Sequence, residues 1–210
     1  MLVDVSGSHA EDDESTNESA LPSRDAKVTR NPTKSNNESI TFRVYSDAMD
    51  RLRKEAGEKD ISVNTLVNQL LRGHVEWHSI AAKAGFISVR KGFVKTMIDK
   101  FSDQEVKMLA EHIARTSNRD MLMIFRNKIS IDCAVDFVES WLRASGFAYR
   151  HESKAIGTHS FVIQHDMGRK WSLYLAELYR HLFEQCKATR FVYDARDSTM
   201  SFVLEGQLRA

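Results

Sequence analysis

Residues 40–71 read ITFRVYSDAMDRLRKEAGEKDISVNTLVNQLL. Ile40, Phe42 and Val44 alternate with Thr41, Arg43 and Tyr45, the period-two pattern of a half-buried strand. Ser46 or Asp47 can cap a helix running to about Glu58, with Met49, Leu52 and Ala56 on its inner face. Lys59-Asp60 makes a turn. Ser62 caps a second helix, in which Val63, Leu66, Val67, Leu70, Leu71, His74 and Val75 recur at spacings of three and four. That helix is expected to reach about Lys83. One strand and two short helices bury little core alone, and a lone strand leaves its edge unpaired. Two copies that pair their strands antiparallel and interlock their helices remove both difficulties. A homodimer is therefore expected, with Ile40, Phe42, Val44, Leu66 and Leu70 in the shared core.

In such a dimer Ser39, Thr41 and Arg43 point away from the core, from both strands. A two-stranded ribbon fits the major groove of B-DNA, where these side chains meet base edges. Arg43 suits guanine O6 and N7 as a bidentate donor; Ser39 and Thr41 bond several bases, and the Thr41 methyl touches thymine. The start of the second helix, Ser62-Val63-Asn64, offers free backbone amides to a phosphate. That contact positions the ribbon without reading sequence.

On these residues the segment 39–77, under a fifth of the chain, resembles the ribbon-helix-helix family of Arc, MetJ and CopG-like repressors. Ile40 to Val44 match the family's strand. Ile61, Ser62, Asn64, Leu66 and Val67 match the opening of its second helix. The resemblance implies base contacts from Ser39, Thr41 and Arg43 and a phosphate contact near Ser62 and Val63. Two positions depart from the pattern. Tyr45 stands where Pro or Ser is usual, which moves the expected cap to Ser46, and Asp60 replaces the common Gly between the helices. The expected function is sequence-specific, dimeric DNA binding in transcription regulation. Such modules often bind as pairs of dimers, which extends the expectation to tetramers on double-stranded DNA.

The rest of the 210 residues is weighed against that expectation. The formal net charge of +1 argues against a uniformly basic nucleic-acid binder, although a specific binder needs positive charge only where phosphates lie. Residues 1–37 are rich in Ser, Asn, Asp, Glu and Thr, hold both prolines and lack aromatics, so a disordered tail is expected. Its acidic run Glu11-Asp12-Asp13-Glu14 precedes Arg24, Lys27, Arg30 and Lys34, a candidate basic arm. No apolar run is long enough to span a membrane, and the opening MLVDVSGSHAEDDE resembles no secretory leader, so a cytoplasmic location is expected. Cys133 and Cys186 form neither a disulfide framework nor a zinc cluster and are read as packing residues.

Beyond a ribbon-helix-helix module at 38–84, a helical connector is expected at 85–129. Phe93, Val94, Met97, Ile98 and Phe101 form one stripe, Ser102 to Glu105 a capping box, and Asn118 can cap a short helix. Residues 130–210 carry a helix from Ser130 or Asp132 that ends at Gly146. The order strand, strand, helix, strand, strand then predicts an antiparallel-sheet α+β domain of sensing, partner-binding or oligomerising type. A small-molecule or protein partner would bind there. His165-Asp166-Met167-Gly168-Arg169-Lys170 admits two readings: an acid/base pair, or a helix start with Asp166 as cap and Trp171 as anchor. His151, His159, His165 and His181 match no metal-ligand spacing, so neither a metal nor another cofactor is expected. Two alternatives stay open beside the regulator: an antitoxin-type autoregulator binding a protein partner, and an enzyme using His165 and Asp166. No catalytic residue is otherwise assigned.

Overall fold

The computed structural model describes residues 38–154 and 157–206. The tail expected over 1–37, with its acidic run and basic side chains, lies outside the described residues. The chain divides between Arg43 and Val44, and the elements below belong to the second part. Residues 38–45 belong to no helix or strand of the single chain.

Helix α1 (Ser46–Glu58) starts after Tyr45, whose extended backbone (φ −61°, ψ 142°) holds the cap position without a capping side-chain bond. Ser46 and Asp47, the expected caps, lie inside the first turn, where the Asp47 carboxylate still favours the helix N-terminus. The turn closes through Ile61 N–H donating to the Ala56 carbonyl (3.0 Å), and Asp60 adopts the left-handed conformation (φ +53°). Helix α2 (Val63–Gly73) begins as the sequence predicts, with Ser62 Oγ accepting from Thr65 N–H at 3.0 Å. It runs into a π-helical turn (His74–His78) and then α3 (Ser79–Ala81). A π turn inserts a residue and rotates the helix beyond it. Leu70, Leu71 and Val75 are exposed, whereas Trp77, late in that turn, is 8% exposed and packs into the core.

After α4 (Lys91–Ile98), α5 (Asp103–Arg126) opens on the expected capping box: Ser102 N–H donates to Glu105 Oε2 (2.7 Å) and Glu105 N–H to Ser102 Oγ (3.3 Å). The short helix expected from Asn118 does not exist separately. Asn118 lies mid-helix on the inward stripe Val106, Ala110, Ala114, Asn118, Leu122, Phe125. Burial of that stripe overrides the residue's preference for a cap. Small Ala110 and Ala114 let α5 lie along a later helix, α7 (Arg169–Gln185). Ser130 caps α6 (Ile131–Ala144), accepting from Cys133 N–H at 3.3 Å, and Gly146 (φ +66°) follows its end.

The C-terminal order is the predicted one: β1 (Ala148–Ser153), β2 (Thr158–Gln164), α7, β3 (Arg190–Ala195), β4 (Thr199–Glu205). The sheet is wholly antiparallel, in the order β1-β2-β4-β3. Its register sets Phe161 opposite Phe202, and Tyr193 opposite Phe202 from the other side. Phe161, Ile163, Met200, Phe202 and Leu204 face the helices, where they meet Leu175, Leu182 and Phe183. Val162, Val192 and Val203 alternate to the exposed face. The protein is thus α+β. No helix among the described residues is long and apolar enough to cross a membrane.

Candidate nucleic-acid interface

The residues expected to form the ribbon are all exposed in the single chain: Ser39, Thr41 and Arg43, and between them Ile40 (67%), Phe42 (58%) and Val44 (45%). Fully burying one such apolar side chain contributes about 1.5–3 kcal/mol, a gain that contacts among the described residues do not realise. On α2 the expected shared core divides. Leu66 is 1% exposed and therefore already covered within its own chain, so it is not a side chain awaiting a partner. Leu70 is half-exposed, as are Leu71 and, more so, Val75.

At the α2 N-terminus the Ser62 hydroxyl is occupied by the Thr65 amide, and it also lies 2.8 Å from Thr65 Oγ1. The Val63 and Asn64 amides lie in the first turn, where helix geometry supplies no intrahelical acceptor. Asn64 is exposed, and its carbonyl accepts from Asn68 Nδ2 at 2.9 Å. Val63 and Asn64 thus offer an anion two backbone donors, while the Ser62 oxygen accepts from Thr65 N–H and shares a hydroxyl contact with Thr65 Oγ1. Between residues 38 and 73 six acidic side chains balance six basic ones. Arg53–Asp50, Lys59–Glu55 and Lys54–Glu58 form exposed pairs along α1, which contribute little to stability. Electrostatic attraction to a duplex here would come from individual guanidinium and amide groups, not from a broad positive field.

The histidines follow a different logic. His165 is 8% exposed, and both ring nitrogens are engaged. Nδ1 accepts from the Met167 amide (3.2 Å), so Nε2 carries the proton and donates to Ser172 Oγ (2.8 Å). Ser172 in turn donates to the Arg196 carbonyl. This relay ties the end of β2 to α7 and to the β3–β4 turn. Burial pushes the His165 pKa down, Asp166 opposes that, and Lys91 adds to it. Asp166 is exposed and caps nothing; Gly168 (φ +85°) occupies the α7 cap position without a side-chain bond. The two residues of the expected acid/base pair thus sit in different surroundings, at the edge of a shallow hollow of about 490 Å³ that Lys91, Phe147 and Ser198 also line. Trp171 does anchor α7, with its ring 5.2 Å from Tyr174 and 6.5 Å from Phe147.

The β1–β2 register brings together two histidines that spacing alone does not join. His151 Nδ1 lies 2.9 Å from Glu139 Oε1 and its Nε2 lies 3.0 Å from His159 Nδ1, while its ring stacks on Phe161 at 4.2 Å. Burial lowers the His159 pKa and His151 lowers it further, against Asp132 and Glu139. Glu139, His151 and His159 form a hydrogen-bonded string within the α6–sheet packing. Its sequence signal, two histidines flanking a hairpin, becomes legible only once the register is known. Among the described residues no three ligating side chains are arranged to hold a metal ion. Comparison of the chain with known protein families, curated proteins and solved structures gives no match.

Proposed function

We propose that this protein is a sequence-specific DNA-binding transcriptional regulator that acts as a homodimer, with two copies of residues 40–44 paired into a ribbon that enters the major groove. The observation that carries this reading is the uncovered row Ile40, Phe42 and Val44, interleaved with the polar Ser39, Thr41 and Arg43. An apolar face at period two, without cover among the described residues, gains most from an identical strand beside it. Pairing would leave the polar set outward, with Arg43 as the guanine-reading donor and the Val63 and Asn64 amides as phosphate anchors. Exposed Leu70 and Val75 on the α2 side extend the surface available to a second copy.

The test is selection of bound sequences from random DNA by the full-length protein, with its mass followed by sedimentation. Enrichment of a two-fold symmetric site by a dimer is expected. Arg43→Ala should weaken binding to that site by about 1–3 kcal/mol and relax preference at one position of each half-site. A monomeric protein that enriches no sequence would end the proposal.

A further inference from the structure

Helices α5, α6 and α7 and the turn Ala84–Phe86 surround a cavity of about 360 Å³. Its walls are aromatic and aliphatic, chiefly Phe86, Met121, Phe137, Trp141, Tyr174 and Leu178, and among the described residues no charged side chain lines it. Among the described residues four buried side-chain polar atoms have no hydrogen-bond partner. Three of them, Asn118 Nδ2, Trp171 Nε1 and Tyr179 OH, are atoms of residues that line this cavity. Buried polar groups are paired in the great majority of cases, because leaving one unpaired forfeits its hydration without return. Asn118 and Tyr179 are 7% and 3% exposed, so bulk water does not serve them. All three are donors, carried on three different turns of α5 and α7 by residues that line one apolar space.

We infer that this cavity is a binding site for an uncharged, flat, largely apolar compound bearing one or more hydrogen-bond acceptors of the carbonyl or ether class. The aromatic walls offer faces for a planar ring: Trp171 and Tyr174 stack at 5.2 Å, and Trp141 stands edge-on to Tyr179 at 6.4 Å. An ionised ligand would find no counter-charge in the lining and would be buried at high cost. A plain hydrocarbon would leave all three donors unpaired. Burial drives the Tyr179 phenol well above its ordinary range and the Tyr174 phenol to about 12, so both hydroxyls remain neutral donors. The three donors are shielded from solvent. Met121, unbranched and adaptable, is the wall residue best suited to yield to an entering acceptor.

The cavity also touches the path toward α2. Phe86, one of its walls, packs edge-on against Trp77 at 4.9 Å, and Trp77 belongs to the π-helical turn that continues α2. An occupant that moves Phe86 therefore moves a neighbour of that turn. The ligand site stands on the cavity alone; its use as a regulatory input rests on the DNA-binding reading.

The test uses the full-length protein with 7-diethylamino-4-methylcoumarin, a neutral planar lactone, and acetophenone as a smaller competitor of the same class. Saturable one-to-one binding is expected, with energy transfer from tryptophan to the coumarin and displacement by acetophenone. Tyr179→Phe and Asn118→Leu should each weaken the coumarin by about threefold to tenfold. The melting temperature should hold or rise, because each variant removes an unpartnered buried donor. Ser117→Leu, which fills the space from α5, should abolish saturable binding. The inference is overturned if neither compound binds, or if the filling variant binds as well as wild type. It is overturned equally if Tyr179→Phe lowers the melting temperature and leaves binding unchanged, since the hydroxyl then has a structural partner. DNA affinity measured separately with and without coumarin distinguishes the two readings. Ligand binding without any DNA binding removes only the regulatory role, and DNA binding without a ligand removes only this site.

Discussion

Phe161 on β2 is fully buried between the rings of His151 and Phe202, whereas Phe42 is 58% exposed. Both belong to segments in which apolar and polar residues alternate. The difference is what lies alongside. β2 is flanked by β1 and β4 and covered by α7, so its inward side chains are completed within one chain. Residues 40–44 have no partner strand among the described residues. Period two thus announces a face that needs burial, but not whether the chain that carries it can supply the cover. The uncovered case is where a second copy is expected.

The largest effect tests the completed side. Phe161→Ala removes an aromatic ring from a site enclosed by other rings and should cost about 3–5 kcal/mol in urea unfolding. A loss below about 1 kcal/mol would mean that the sheet's core is not closed, and the contrast with Phe42 would disappear. Phe42→Asp tests the open side. It should leave the unfolding of the sheet and its helices unchanged while removing more than about 2 kcal/mol from the stability of the proposed dimer, because a charge would replace an apolar group at the proposed shared face. Sedimentation would then show a monomer at concentrations where the proposed wild-type dimer persists. Equal sedimentation of both proteins would sink the paired strand.

Acid should separate the two regions by a smaller margin. His159 lies on β2 and His165 follows that strand directly, and burial is the main reason each pKa is lowered. Around His159, His151 adds to that lowering while Asp132 and Glu139 oppose it; around His165, Asp166 opposes it and Lys91 adds to it. In the unfolded chain both titrate near the ordinary histidine value of about 6.5. As pH falls below that value the unfolded chain takes up protons first, so stability is full above it and declines towards the lower folded pKa values. Unfolding at pH 7.5 and 5.5 should show this loss. His165→Gln should shrink it, and an undiminished loss would assign the effect to other groups.

Local signals were legible wherever one turn of chain decides the outcome. Ser62, the Ser102–Glu105 box and Ser130 mark helix starts because a side chain bonds a backbone amide three residues on. The strand-strand-helix-strand-strand order comes from periodicity in the same way. Asn118 misleads because its preference for a cap is weaker than the burial of the stripe it shares with Ala114 and Leu122, and that burial depends on α7, far along the chain. The Glu139–His151–His159 string depends on strand register, and the α5–α7 cavity on residues from four separate segments. Neither has a spacing that a linear reading could find.

The smallest effect concerns the turn between α1 and α2, where a departure from the ribbon-helix-helix pattern meets a left-handed backbone. Asp60 takes φ +53°, the conformation that a common Gly would adopt without steric cost. A side chain with a Cβ is strained there, and Asp less than most because its carboxylate can bond locally. Asp60→Gly relieves that strain but adds freedom to the unfolded chain, and the two effects oppose each other. Relief should win by about 0.5–1 kcal/mol, because α1 and α2 hold the turn in one conformation through the Ile61–Ala56 bond. The gain should appear in whichever unfolding step involves α1 and α2. If Asp60→Gly leaves stability unchanged or lowers it, the freedom added to the unfolded chain outweighs the strain at Asp60.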